Sequence, residues 1–242
     1  MFTFESLDDL LCDFCYLCPA LLVLEADSPC NRFVSRGLGP ANVTSNDIRQ
    51  YLLAGEAHPA RLFPQCFSKL DPVAAITYEW RLSLSEVLSF LNPAQVSRCG
   101  SRFRWAVPTE MRVLRVWIDV LFIDQLSDDI AGSLAEARRV YANAPFHLAL
   151  ATETLLTRAW CLFELAVRRH ALRETLLVES ALDRPDLRVA GFAERSRMRF
   201  FEEMKATVEG DKQQIRREIL AAFSYPENFN RQMGGLFRAA TD

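Results

Sequence analysis

From Val73 onward the chain alternates short, nearly continuous apolar runs with stretches whose apolar residues recur every three or four positions. Runs of the first kind suit parallel strands buried on both faces, and stretches of the second suit the helices that cover them. The alternation predicts βα units and an α/β fold around a parallel sheet. Val73 to Tyr78 reads as the first strand, and Leu82 to Leu91 has a helical face that ends at Asn92-Pro93. A basic loop with Arg98, Arg102 and Arg104 leads to a second strand, Val113 to Phe122, rich in Val, Ile and aromatic residues. Ser127-Asp128-Asp129 supplies capping chemistry for a helix from Ile130 to Ala142, which Pro145 closes. Phe146 to Ala151 is the third strand. A helix capped by Thr154 or Thr157 runs to about Leu172, and Thr175 to Val178 is a fourth, short strand.

The flanks have a different texture. Residues 1–70 carry much of the punctuation (Pro19, Pro29, Gly37, Gly39, Pro40, Gly55, Pro59, Pro64) and read as a helical and loop-rich extension. Beyond residue 180 a polar loop with Asp183, Pro185 and Asp186 precedes two predicted helices, Arg195 to Glu209 and Asp211 to Phe223, the second with Ile215, Ile219, Leu220 and Phe223 on one face. The remaining tail reads as surface. The predicted organisation is therefore an extension over 1–70, a sheet domain over 71–180 and C-terminal helices over 181–242 packed on the same domain.

Composition narrows the function classes. Half of the 242 residues are hydrophobic and 24% are charged, which suits a packed globular chain rather than a disordered one. With 28 basic against 31 acidic residues the net charge is -3, so the basic footprint of a nucleic-acid binder is missing overall. The apolar run Phe14 to Leu24 is far shorter than a bilayer span and contains Pro19, so no membrane segment is expected. Glu5, Asp8, Asp9 and Asp13 precede it where a secretory leader would carry positive charge, which argues for a cytoplasmic protein. The seven Cys are an odd number in a chain of this size, which fits reduced thiols.

In an open parallel sheet, ligands bind beyond the C-terminal strand ends, near the switch in strand order. That rule points to Tyr78-Glu79-Trp80, to the segment from Asp119 to Asp124 and Gln125, and to the loop and helix from Ala151 to Glu164. Trp160 and Glu164 are four residues apart, one helical turn, so an aromatic plate sits beside a carboxylate. By spacing alone Glu164 reads first as the partner of a basic neighbour such as Arg168, with Trp160, Phe163 and Val167 in the core, and Asp119 as a turn or cap residue. Cys12, Cys15 and Cys18, with Cys30, have a metal-like spacing, but spacing by three also arises on one side of a helix, and the expectation is no metal. His58, His147 and His170 have no spacing that suggests ligation.

Several boxes resemble a known family. Arg158-Ala159-Trp160-Cys161-Leu162-Phe163-Glu164-Leu165 resembles the WCxxEL segment of Toll/interleukin-1 receptor (TIR) domains. Ile76-Thr77-Tyr78-Glu79-Trp80 is similar to their first-strand SY.W box, and Val116-Trp117-Ile118-Asp119 to their VWxD strand. The stretch Trp117 to Gln125, with Val140-Tyr141-Ala142-Asn143-Ala144 after it, is also similar to the WID..CI.Q and IY..A boxes of fungal heterokaryon-incompatibility (HET) domains. Together these boxes span about residues 73–180. Two positions depart from the TIR pattern: the first-strand serine is Thr77, and a position that is basic in some enzymatic members is Glu79.

The resemblance implies a flavodoxin-like TIR-type sheet and, for enzymatic members, cleavage of the nicotinamide-ribose bond of NAD. It assigns the catalytic role to Glu164, makes Trp160 a stacking wall, and leaves Tyr78, Trp80 and Asp119 as candidate substrate contacts. NAD is then substrate and no separate cofactor is expected. It further implies a cytoplasmic enzyme of immune or cell-death signalling that acts as a homo-oligomer, with a separate effector protein responding to the product. A non-enzymatic TIR-like adaptor and a nucleotide sensor are the alternatives.

Overall fold

The computed structural model describes residues 3–4, 44–53, 67–68, 72, 74–82, 87, 116–123, 129–152, 154–179 and 197–239. Their centre is a sheet of strands β1 (Thr3–Phe4), β2 (Phe67–Ser68), β3 (Ala74–Thr77), β4 (Val116–Trp117), β5 (Phe146–Ala151) and β6 (Leu176–Glu179). The order across the sheet is β2-β1-β4-β3-β5-β6. Strands β4, β3, β5 and β6 run parallel, while β1 pairs antiparallel with β2 and β4. The fold is thus α/β with a parallel core, and residues 3–4 and 67–68 of the segment read as helix and loop add strands to its edge.

All of β3 is buried, as its unbroken apolar run requires of a strand covered on both faces. Its neighbour β5 matches the predicted bounds and aligns Ala75 with His147 and Thr77 with Ala149. Side chains alternate along a strand, so Ala75, Thr77, His147 and Ala149 share one face. Of the second predicted strand, residues 113–115 lie outside the described residues, Val116–Trp117 pair, and Asp119–Phe122 form a helical turn instead of continuing the strand. The Asp119 carboxylate accepts from the Val120 N–H at 2.7 Å and the Asp119 carbonyl from the Ile123 N–H at 2.9 Å, so local turn chemistry overrides strand propensity.

The helices are α1 (Ser45–Leu53), α2 (Asp119–Phe122), α3 (Ile130–Asn143), α4 (Ala159–His170), α5 (Phe200–Glu203), α6 (Glu209–Phe223) and α7 (Pro226–Ala239). Asp129 caps α3 as its sequence predicts, accepting from the Gly132 N–H at 2.9 Å. Neither Thr154 nor Thr157 caps α4. A 3-10 turn over Leu155–Thr157 precedes it, and the Ala159 N–H donates to the Lys205 carbonyl at 2.8 Å, an acceptor from far along the chain replacing a side-chain cap.

Helix α4 buries Ala159 and every residue from Cys161 to Arg168. It lies between the sheet and an outer layer made by α6 and α7, and one apolar cluster joins Ala75, Trp117 and Ala149 to Leu162, Phe163 and Leu165 and on to Ile219 and Phe229. The outer layer corrects two expectations. Among the described residues of the helix predicted over Arg195 to Glu209, Phe200–Glu203 are helical and Glu209 opens α6, while the Lys205 N–H bonds to the Thr157 carbonyl at 2.6 Å and draws 204–208 into an extended strap beside the start of α4. The tail read as surface is α7, whose Phe229 and Met233 are fully buried; Phe229 sits edge-on to Phe223 at 5.5 Å and to Phe201 at 6.2 Å.

Leu82 and Val87 are buried, while the rest of the predicted helix to Leu91, the loop of Arg98, Arg102 and Arg104, and the Cys12/Cys15/Cys18 and Cys30 group lie outside the described residues. Among the described residues no helix is long and apolar enough to cross a membrane.

Candidate active site

The chain leaves β3 toward β4 on one side and returns to β5 on the other, which places the switch in strand order at β3 and β5. A cavity of about 390 Å³ lies beyond the C-terminal ends of these strands, a volume ordinary for a small-molecule site. Tyr78, Trp80, Asp119, Trp160 and Glu164 all line it, so the structure brings the five sequence-selected residues to one place. Tyr78 and Trp80 follow β3, Asp119 opens α2 just after β4, and Trp160 and Glu164 come from α4.

Asp119 is held by two donors. The Trp80 indole N–H reaches its Oδ2 at 2.7 Å and the Val120 N–H its Oδ1 at 2.7 Å. Burial nevertheless outweighs these bonds and pushes its pKa up to about 6. The Tyr78 hydroxyl bonds to Ser45 of α1 at 2.5 Å, and burial followed by the Asp119 charge raises its pKa. Trp160 turns its indole N–H to Asp211 of α6 at 3.3 Å, which ties the cavity wall to the outer layer.

Glu164 is only 2% exposed and does not pair with Arg168. Its Oε2 instead accepts from the Thr77 hydroxyl at 2.6 Å. Burial first, and the nearby Asp119 charge second, push its pKa well above the usual carboxylate range. Among the described residues no cation lies in an ion pair with it. The helix-surface reading of Glu164 therefore fails: its helix is covered on all sides and the carboxylate faces the sheet and the cavity.

The two departures from the TIR pattern acquire distinct places. Thr77 keeps a hydroxyl where serine was expected and spends it on Glu164. Glu79 is not among the cavity-lining residues; it is buried, accepts from the Thr152 hydroxyl, and pairs with Arg81 at 2.5 Å, joining the chain after β3 to the chain after β5. Sequence reasoning missed the basic side of the cavity, Arg49 of α1, Arg158 and Lys205. Arg158 stands next to a recognised box, but Arg49 and Lys205 come from segments whose pattern carries no signal.

Cys161 is a buried free thiol donating to the Tyr78 carbonyl at 3.3 Å, and burial raises its pKa, so it is poorly suited to act as a thiolate. Among the described residues no group of three or more His, Cys, Asp or Glu side chains could hold a metal ion. Asp124 and Gln125 lie outside the described residues. No family model matches this chain, and no curated protein or solved structure does so either.

Proposed function

We propose that this chain is a TIR-like NAD glycohydrolase or ADP-ribosyl cyclase on a flavodoxin-like sheet. The observation that carries the reading is Glu164, a carboxylate shut away from bulk water, free of a cationic partner among the described residues, and bordering a cavity with two indole rings. The order β4-β3-β5-β6 supports the fold half of the reading, since numbering only these parallel strands gives 2-1-3-4, the start of the flavodoxin-like order.

In this reading the nicotinamide riboside end of NAD enters beside Glu164, with Trp80 and Trp160 as walls. The incoming positive charge favours the ionised carboxylate. Nicotinamide departs neutral with the electron pair of the C–N bond, and Glu164 stabilises the oxocarbenium-like ribose left behind. Water adding to that carbon and losing a proton gives ADP-ribose; an adenine nitrogen of the same molecule adding there, with loss of a proton, gives a cyclic isomer. Arg49, Arg158 and Lys205 face the pyrophosphate. Self-association and a separate effector that reads the product belong to the same proposal.

The test is chromatography of NAD incubated with concentrated protein beside a Glu164→Gln variant. Nicotinamide release that the variant lacks supports the enzyme. Absence of release in a forcibly clustered sample, together with no NAD binding, overturns it in favour of an interaction module.

A further inference from the structure

Behind the cavity, two buried polar side chains stand on the sheet face that α4 covers, with a third beside them just before β6. Thr77 of β3 and His147 of β5 are diagonal neighbours on the face covered by α4, and the Thr77 Oγ1 lies 2.8 Å from the His147 Nε2. On its far side the His147 Nδ1 lies 2.9 Å from the Thr175 hydroxyl, just before β6. Thr77 and His147 are 0% and 1% exposed.

Counting protons orders the chain. The Thr77 hydroxyl has one proton, and it goes to Glu164 Oε2 at 2.6 Å. The contact with His147 must then use a proton on Nε2, which leaves Nδ1 of the neutral ring to accept from Thr175. Burial, with Arg168 adding a like charge, draws the His147 pKa down to about 3, which agrees with a neutral ring. Among the described residues the imidazole meets Thr77 of β3, Thr175 before β6 and Tyr141 of α3, edge-on at 5.1 Å, with the Arg168 charge of α4 nearby and Glu164 beyond Thr77. The Tyr141 hydroxyl is itself anchored on the Ile76 carbonyl at 2.7 Å.

Burying Thr77 and His147 where Val or Leu would pack costs free energy unless each finds its partner. Here each does, and the donors all point the same way, from Thr175 toward the carboxylate. We infer that Thr77 and His147 are positioning residues for Glu164: the ordered chain Thr175–His147–Thr77 holds Oε2 against the sheet and fixes the carboxylate at the cavity wall. This deepens the NAD-cleaving reading and rests on it for its catalytic meaning, but its geometry is tested without any substrate.

The experiment follows the ring nitrogens of His147 and the side-chain carboxyl carbon of Glu164 by NMR in the full chain, as wild type, Thr77→Val and Thr77→Ser. The expected wild-type ring carries its proton on Nε2 and stays neutral from pH 8 to pH 5. Because the Thr77 bond favours the ionised carboxylate, Thr77→Val moves the Glu164 titration to higher pH, and Thr77→Ser restores it. A ring protonated on Nδ1, or a Glu164 titration that Thr77→Val leaves in place, overturns the inference. Since the ring tautomer is read in the unaltered chain, a variant that fails to fold does not rescue it. If NAD is cleaved, Thr77→Val lowers kcat by roughly 10- to 100-fold with KM little changed, and Thr77→Ser recovers most of it. An inactive wild type with the expected tautomer and titration counts against the NADase reading and leaves the positioning chain standing.

Discussion

Helix α4 buries two ionisable residues one turn apart, Glu164 toward its start and Arg168 toward its end, each 2% exposed. Arg168 spends four of its five N–H donors on backbone: its guanidinium donates to the carbonyls of Tyr141, Ala144, Pro145 and Glu174 at 2.6 to 3.1 Å. It gathers the end of α3, the turn into β5 and the turn after α4, and although burial draws its pKa down to about 10 it remains a cation at neutral pH. Glu164 has one ordered hydroxyl chain on one oxygen and a cavity beside it. The same helix thus holds a charge whose bonding capacity is spent on the backbone and a charge kept available. A buried charge with its partners complete reads as architecture; one that opens onto a cavity reads as chemistry.

That contrast is broken most sharply by exchanging the consequences. Glu164→Gln is expected to lower NAD cleavage by on the order of 1000-fold, measured as nicotinamide release, while the thermal midpoint stays the same or rises because a buried charge is removed. Arg168→Met is expected to do the reverse: a loss of about 3 kcal/mol in urea unfolding, since four carbonyls, two of them in buried contacts, lose their donor, with the NMR signals of Thr77 and His147 shifted only slightly in the fraction that folds. Arg168→Lys recovers little, because an ammonium cannot match the reach of the guanidinium fork. A stable Arg168→Met together with an unfolded Glu164→Gln inverts the comparison and removes its basis.

Asp119 sharpens the available side. Its charge is a cause of the raised Glu164 pKa, so Asp119→Asn is expected to move the acid limb of kcat/KM for NAD cleavage to lower pH. The sign for stability is separate. The folded pKa of about 6 lies above the ordinary value of 3.8, so the native state binds the extra proton and this group's contribution is lost as pH rises through about 6. The asparagine variant therefore gains stability relative to wild type on going from pH 4 to pH 8, measured by urea unfolding at both. A pH-independent difference counts against a buried, titrating Asp119.

How much of this was legible in sequence follows from how local the causes are. Strands β3 and β5, the cap of α3 at Asp129 and the extent of α4 depend on runs, periods and caps within a few residues, and each is readable. The five cavity residues were selected because strand-end rules and box resemblance both act on short stretches. What escaped depends on distant partners. The strap at 204–208 exists because Lys205 bonds to Thr157 and Ala159, and no periodicity announces that. Helix α7 hides its apolar face in a polar text, with Phe229, Met233 and Leu236 at helical spacing among Asn, Arg and Gln. The turn at Asp119 defeats a strand pattern through one carboxylate and one N–H. Thr77, read as a departure, and His147, read as a strand residue without partners, acquire meaning only when β3 and β5 are set in register under α4.

The smallest expected effect tests the spent side of the comparison at its outermost point. After Arg168 has tied down its carbonyls, α4 ends with the Leu172 backbone at a φ of 54°, the Leu172 N–H bonding to the Arg169 carbonyl at 3.1 Å and the Arg173 N–H to the Arg168 carbonyl at 3.1 Å. A left-handed residue closing a helix is ordinarily Gly, and Leu there has its side chain 91% exposed, so it contributes little burial to offset the strain. Leu172→Gly is expected to raise stability by about 0.5 kcal/mol in urea unfolding, the relieved strain exceeding glycine's added freedom in the unfolded chain. Leu172→Ala, which keeps a Cβ in the same conformation, is expected to gain nothing. If the two variants behave alike, the turn has no left-handed strain to relieve, and the order at this end of α4 comes from the four Arg168 bonds alone.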